Sequence, residues 1–475
     1  MMRLILAILG IITLLSACSE SIVQKDIEFF LSEPTMILNQ EQDNSIEGTY
    51  LMVREINKND STIELELPNN FHLNANNIYN WTIGWGKDKA YYDAGVENIR
   101  LIREIDLSDG TISLGRITRG SGFPKKGQRV VFWNRNPSSF KNERVRPILD
   151  TKMWPSFAGS SVAFGAIEFD PELNKWVMFV NEVDTSSVQV YAAMSSDLLN
   201  WEAANNGEPL FTSEDFKTIS WAGLDKSGQV EQSAIVSDVE FKCGKWHLIM
   251  DGFDKNGYRH IGIAISSKTI LGPYRISPDA ILSPGKRRAW NSQAVFYGKI
   301  EDYKDGYIMF YDGMDAQGRE RIGMATSPNL YCWTNAKHNP VINQHTGWRS
   351  SPGTTEPNYI KIKGDTILLM CAGVKEFNNG FWSRYITGDE NMGRSGNVSD
   401  AQLGLFMSID EGKSFIQSGN NPIFTNDYSN RYENEHMGGN FRRISTDSVE
   451  FIFYQAKSSF PTMRYNIMLR ERPNW

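Results

Sequence analysis

Residues 150–475 repeat themselves, and this repeat constrains the fold more than any other feature. Met250-Asp251-Gly252-Phe253-Asp254-Lys255-Asn256-Gly257, followed by His260-Ile261-Gly262-Ile263-Ala264-Ile265-Ser266, returns as Tyr311-Asp312-Gly313-Met314-Asp315-Ala316-Gln317-Gly318 and Arg321-Ile322-Gly323-Met324-Ala325-Thr326-Ser327. Weaker copies run from Val190 to Asp197, from Leu403 to Asp410 and from Tyr465 to Leu469. Each unit reads as strand, turn, strand, Asp/Asn/Gly turn, strand and a closing aromatic: Trp201, Tyr274, Trp333, Phe415 and Trp475. A small sheet of this kind cannot bury both faces until neighbours stack around a common axis. The pattern therefore predicts an all-β chain whose residues 150–475 form a five-bladed β-propeller.

Ahead of the repeat, residues 41–145 carry alternating or β-branched runs such as Ser61-Thr62-Ile63-Glu64-Leu65-Glu66-Leu67 and Arg129-Val130-Val131-Phe132-Trp133. Turn signals such as Ser108-Asp109-Gly110 separate them, which predicts a small β-sandwich or barrel domain. The stretch from Pro137 to Pro147 reads as its exit linker. At the N-terminus, Met1-Met2-Arg3 precedes an apolar run from Leu4 to Leu15, too short to span a bilayer as a helix. Leu15-Ser16-Ala17-Cys18 then resembles a bacterial lipobox, with residues 1–17 as signal peptide, Cys18 lipidated and residues 19–40 as a polar tether. The resemblance implies a bacterial envelope protein held on the membrane by its lipid, at the outer membrane or facing the periplasm.

With 49 Lys+Arg against 56 Asp+Glu the chain has a net charge of −7, the wrong sign for a partner bound by counterion release, so nucleic acid is excluded. Beyond Cys18, the cysteines Cys243, Cys332 and Cys371 match no zinc spacing and, each in an apolar strand-like context, read as buried free thiols with one disulfide left open, and the six His are scattered. No cofactor is expected, although a propeller leaves room for an axial calcium or sodium ion whose ligands the sequence does not name. Most of the 13 Trp, 18 Tyr and 25 Phe are assigned to packing between blades.

The innermost strand of each blade lines the central funnel. Aligning the blades on that strand sets Ala158, Glu231, Asn291, Glu356 and Glu435 at one level, so three carboxylates converge on one mouth. Acids there are costly unless solvated in a pocket or engaged in chemistry. Carboxylates around a pocket suit glycosidic bond cleavage, one protonating the leaving oxygen and another acting as base or nucleophile. Arg288 and Trp290 precede the third inner strand, and Trp348 and Arg349 precede Glu356; guanidinium and indole are groups that hold a polar sugar. Asn291, Gln293 and His436 would contact hydroxyls.

Blades ending in Ile-Gly-x-Ala-x-Ser, the Asp/Asn/Gly turn before that segment, and Pro357 after Glu356 resemble the five-bladed propeller glycoside hydrolases, the superfamily of families 43, 32, 68, 117 and 130. The resemblance covers residues 150–475 and implies an exo-acting glycosidase cleaving an oligosaccharide or complex polysaccharide. Families 43 and 32 carry Asp, Asp and Glu in the first three blades, the Glu before x-Pro. Here Thr355-Glu356-Pro357 is nearest to the last of these, in the fourth blade, while Asn291 and Ala158-Gly159 stand where the other acids would be. The residues present instead nominate Glu356 as general acid and Glu231 or Glu435 as base or nucleophile. Two alternatives stay open: a surface lipoprotein that binds a glycan without cutting it, and a phosphorylase whose arginines hold phosphate.

Overall fold

The computed structural model describes residues 50–66, 81–85, 98–106, 110–119, 122–134, 144–159, 161–183, 189–223, 234–343, 352–376, 399–417, 436–446, 449–457 and 465–473. Six strands make a closed barrel in the N-terminal part: β1 (Tyr50–Asn57), β2 (Thr62–Glu66), β3 (Trp81–Trp85), β4 (Asn98–Asp106), β5 (Thr111–Arg119) and β6 (Arg129–Asn134), in the order β1-β2-β5-β4-β3-β6. Of the two architectures expected, the barrel is the one that forms. Strand β2 shows why: its inward positions Ile63 and Leu65 are each 1% exposed and meet Val53, Ile83, Ile112 and Val130 in one core, while the intervening polar side chains face out.

The rest is five antiparallel four-stranded sheets. Blade 1 runs β8 (Ser161–Asp170), β9 (Lys175–Val183), β10 (Val190–Ser195) and β11 (Glu202–Ala203). Blade 2 has β12 (Ile235–Lys242), β13 (Lys245–Phe253), β14 (Arg259–Ser266) and β15 (Arg275–Ile276); blade 3 has β16 (Ala294–Tyr303), β17 (Gly306–Met314), β18 (Glu320–Ser327) and β19 (Thr334–Asn335). Blade 4 has β20 (Pro352–Lys363), β21 (Thr366–Glu376), β22 (Ser399–Ser408) and β23 (Ile416–Gln417). Blade 5 takes β24 (His436–Ser445), β25 (Val449–Lys457) and β26 (Tyr465–Pro473) from the C-terminal end. Its outer strand is β7 (Arg144–Pro147), which lies within the stretch that reads as a linker. The first inner strand, β8, packs on β12, and the series continues through β16, β20 and β24, which returns to β8. A ring of five blades, fastened by one strand from before the first blade, is the five-bladed propeller that the repeat predicts.

The repeated residues have structural tasks. The serine ending the third strand turns the chain by bonding the side chain two residues on, as in Ser195 Oγ to Asp197 Oδ1 (3.0 Å) and Ser408 Oγ to Asp410 Oδ1 (2.7 Å). The closing aromatics reach to the preceding blade: Tyr274 meets Phe211 at 5.6 Å, Phe415 meets Phe310 at 5.8 Å, and Trp201 meets Phe453 of blade 5 at 6.0 Å.

Blade-to-blade register is set by a polar residue on the second strand. Asn181, Asp251, Asp312, Ala372 and Gln455 are equivalent by strand pairing, and all are at least nine-tenths buried. Four of them accept a backbone N–H from the bulge in the next blade's inner strand: Asn181 from Val236 (2.9 Å), Asp251 from Tyr297 (3.2 Å), Asp312 from Glu356 (3.3 Å) and Gln455 from Phe164 (2.9 Å). A bulge leaves one N–H without a ladder partner, and the neighbouring blade supplies it. Ala372 breaks the series between blades 4 and 5.

Candidate active site

In each blade the inner strand begins, the second strand ends and the third strand begins at the same face. Parallel contacts between Arg259 and Ala294, Glu320 and Gly353, and Ala401 and His436 mark that face in three blade junctions. Glu356 lies on it as the bulge residue of β20, half-buried, with φ of 50°. A non-glycine residue in the left-handed region costs on the order of 1–3 kcal/mol, held here by the surrounding contacts. The Glu356 N–H and the Thr355 hydroxyl both donate to Oδ2 of Asp312, and the Asn358 amide donates to the Glu356 carbonyl at 2.6 Å.

Asp312 is fully buried, and its Oδ1 has no hydrogen-bond partner. Burial pushes its carboxyl well above the usual range, and the negative charges of Glu320 and Glu356 add to the effect. The equivalent Asp251 has a different environment. Arg259 donates to it from Nε at 2.5 Å and stacks its guanidinium over Phe296 and Tyr297 at 4.3 and 5.0 Å. Tyr297 occupies in blade 3 the bulge position that Glu356 occupies in blade 4, also with positive φ (51°), and feels the Glu356 charge. Tyr297 and Glu356 therefore form one layer on the axis, backed by Arg259, Asp251 and Asp312.

The register corrects the level assigned from sequence. Asn291 precedes β16, whereas the residue equivalent to Glu356 is Tyr297 within it; Ala158 likewise precedes β8, where Phe164 is the equivalent. The bulge of β20 shifts Glu356 deeper than the alignment of segments suggested. Glu231, Glu435, Trp348, Arg349 and Cys18 lie outside the described residues. His436 opens β24, pairing with Lys457.

Arg288, Trp290 and Gln293 are brought together at a groove between blades 2 and 3, along with Arg287, His260, Arg319 and Arg321. Trp290, Asn291 and Gln293 have tasks other than those expected. Trp290 lays its ring over Gly313 and Gly323, 5.9 Å from Tyr311, so most of its surface packs the blade rather than offering a sugar platform. Trp221 lays its ring over Gly262 in blade 2 in the same way, while Ala222 packs on Gly252. Asn291 is 5% exposed beneath Gly285, and Gln293 bonds the Gly257 carbonyl at 3.0 Å, so both secure the loops that enter the blade.

Below the bulge layer the axis narrows to a cavity of about 120 Å³ lined by Asp238, Glu240, Lys299, Glu301, Asn358 and Arg442 among others. Lys299 stands 3.5 Å from Asp238, and Arg442 lies 2.5 Å from Glu168. These two cations lie among the acids of the cavity, and no group of three or more His, Cys, Asp or Glu that could hold a metal ion occurs among the described residues.

Sequence reasoning quoted Asp312 as part of the repeat but missed its role. The signal was available: an acid inside the apolar run Met309-Phe310-Tyr311-Asp312 needs a partner or must be neutral.

No family model matches the sequence, and no curated protein matches it. Among solved structures the chain is similar to a thermostable family-43 glycoside hydrolase (13% identity, TM-score 0.46, covering 67% of this chain and 91% of that one). It is similar also to a family 117 glycoside hydrolase of the marine bacterium Zobellia galactanivorans (13%, 0.44, 70% and 90%) and to a glycoside hydrolase described as putative from Bacteroides ovatus (16%, 0.45, 65% and 86%).

Proposed function

We propose that this protein is a glycoside hydrolase that works at the axial face of blades 3 and 4. The observation that carries the reading is Glu356: a half-buried carboxylate held at positive φ, its N–H bonded to the buried Asp312. Strain at a residue gripped from the neighbouring blade suits a group whose position matters more than its comfort. Glycosidic cleavage needs an acid on the leaving oxygen and a second carboxylate as base or nucleophile. Glu356 takes the first role. Glu231, four residues before β12, or Glu435, immediately before β24, takes the second.

The test is hydrolysis of a panel of plant and algal oligosaccharides, with and without phosphate, by the full chain and by Glu356→Gln. Loss of the general acid lowers the rate by about 10²–10⁴-fold with an unchanged unfolding midpoint. Equal turnover by the two proteins refutes the assignment, and turnover that depends on phosphate replaces hydrolysis with phosphorolysis.

A further inference from the structure

The groove between blades 2 and 3 has a volume of about 970 Å³ and opens on the same face as Glu356. Its lining holds four arginines, Arg287, Arg288, Arg319 and Arg321, against one carboxylate, Asp315. That carboxylate is saturated: it accepts from Arg319 Nε at 2.8 Å, Arg321 at 3.1 Å, and the backbone N–H groups of Gln317 and Arg319 at 2.9 and 3.1 Å. Arg287 and Arg288 are exposed and have no acidic partner among the described residues. In a chain of net charge −7, an unneutralised cationic surface at one groove is a local inversion of sign.

The backbone underlines the point. The Ala289 N–H bonds the Lys286 carbonyl at 2.8 Å, so Arg287 and Arg288 are the two central residues of a tight turn. Arg288 has φ of 74°, the conformation that in such turns is normally left to glycine. Arginine there costs stability that glycine would not, and what it adds is a guanidinium at the groove. Across the groove, Tyr258 is 42% exposed, a flat apolar face beside the charges.

We propose that this groove binds an anionic substituent, carboxylate or sulfate, on a saccharide chain whose sugar ring rests on Tyr258. Arg287 and Arg288 supply paired N–H donors that match either oxyanion, while Arg319 and Arg321, tied to Asp315, fix the floor. The proposal deepens the hydrolase reading by naming an acidic polysaccharide as substrate, and it rests on that reading for the saccharide.

Binding is measured by titration calorimetry on full-chain Glu356→Gln, which removes turnover, with four probes: oligogalacturonate, a sulfated carrageenan oligosaccharide, neutral xylo-oligosaccharide and inorganic phosphate. One of the acidic oligosaccharides binds, and its affinity falls when salt is raised from about 50 to about 500 mM. Adding Arg288→Gly weakens it about tenfold, as does Arg287→Ala, the worth of one charge-assisted contact. Arg288→Gly relieves the turn, so its unfolding midpoint does not fall, and a weakened affinity is not a folding defect. The proposal is overturned if neutral and acidic oligosaccharides bind alike, if neither arginine variant changes the affinity, or if phosphate alone binds as tightly as the acidic chains. Failure of these titrations with hydrolysis intact removes only the acidic-saccharide assignment; loss of the Glu356 assignment leaves the binding result standing.

Discussion

Two aspartates in equivalent positions show how far environment decides what a residue is. Asp251 and Asp312 both end a buried apolar run on a second strand and both cap a bulge in the next blade. Burial raises both carboxyls, but Asp251 faces Arg259, whose charge opposes the rise and which would lose its acidic partner, keeping only its aromatic neighbours, in Asp251→Asn. Asp312 has no cation among its contacts within the described residues, and burial raises its carboxyl with nothing to oppose the rise but the bonds from Thr355 and Glu356. Asp251→Asn is therefore expected to cost about 3–5 kcal/mol. Asp312→Asn is expected to change stability at pH 7 by less than about 1 kcal/mol, because the amide has the shape of the protonated acid that the raised carboxyl favours. Urea unfolding of the two variants checks the contrast, and equal losses would show that Asp312 is ionised in the folded protein.

At the scale of the strand, the blades depend on aromatic rings laid over glycines. In blade 3 a Cβ built on Gly323 would meet the rings of both Trp290 and Tyr311, the former at 2.6 Å. Gly323→Ala must push Trp290 off the sheet, at about 1–3 kcal/mol for an overpacked site. The expected readout is a lower unfolding midpoint together with a red-shifted tryptophan emission; an unmoved spectrum would show that Trp290 does not need the glycine. These glycines are legible in the sequence as the repeated Ile-Gly-x-Ala, and so are the closing aromatics Trp201, Tyr274 and Phe415 and the number of blades, because they repeat; the fourth strand of each blade is not, since in blades 1–4 it is two residues long and carries no pattern. The site was less legible because it lies where the repeat is broken. The bulges that set Tyr297 and Glu356 at one level change the phase of each inner strand by a residue or more, and no periodicity announces them. Glu356 itself was found because its carboxylate and following proline stand out. Asp312 was passed over because the repeat made it look like one more turn residue.

For the molecule as a whole, the axis is where the five blades meet, and its charge balance ties stability to pH. Burial, with the nearby charge of Asp238 adding, pushes Glu301 up to about 7 and Glu240 up to about 8. Lys242, Lys299 and Arg442 surround these acids and Asp302 lies beside them, yet the cations do not offset the loss of water. In the unfolded chain both glutamates titrate near the ordinary glutamate value of about 4.3. Between that pH and about 8 the folded protein thus binds more protons than the unfolded one, and stability falls as pH rises. Each group contributes at most about 1.4 kcal/mol per pH unit across its own window. Urea midpoints of the full chain should accordingly decline from pH 5 to pH 8.5. Glu301→Gln removes one of the two buried charges that develop, so its midpoint is expected to decline less steeply and to exceed that of the unaltered chain at pH 8. The two curves should converge only as pH falls below the unfolded-state value of about 4.3, where Glu301 is protonated in both the folded and the unfolded chain. Parallel curves for the two proteins would place the Glu301 carboxylate in water, and the axial cavity would then be open from below.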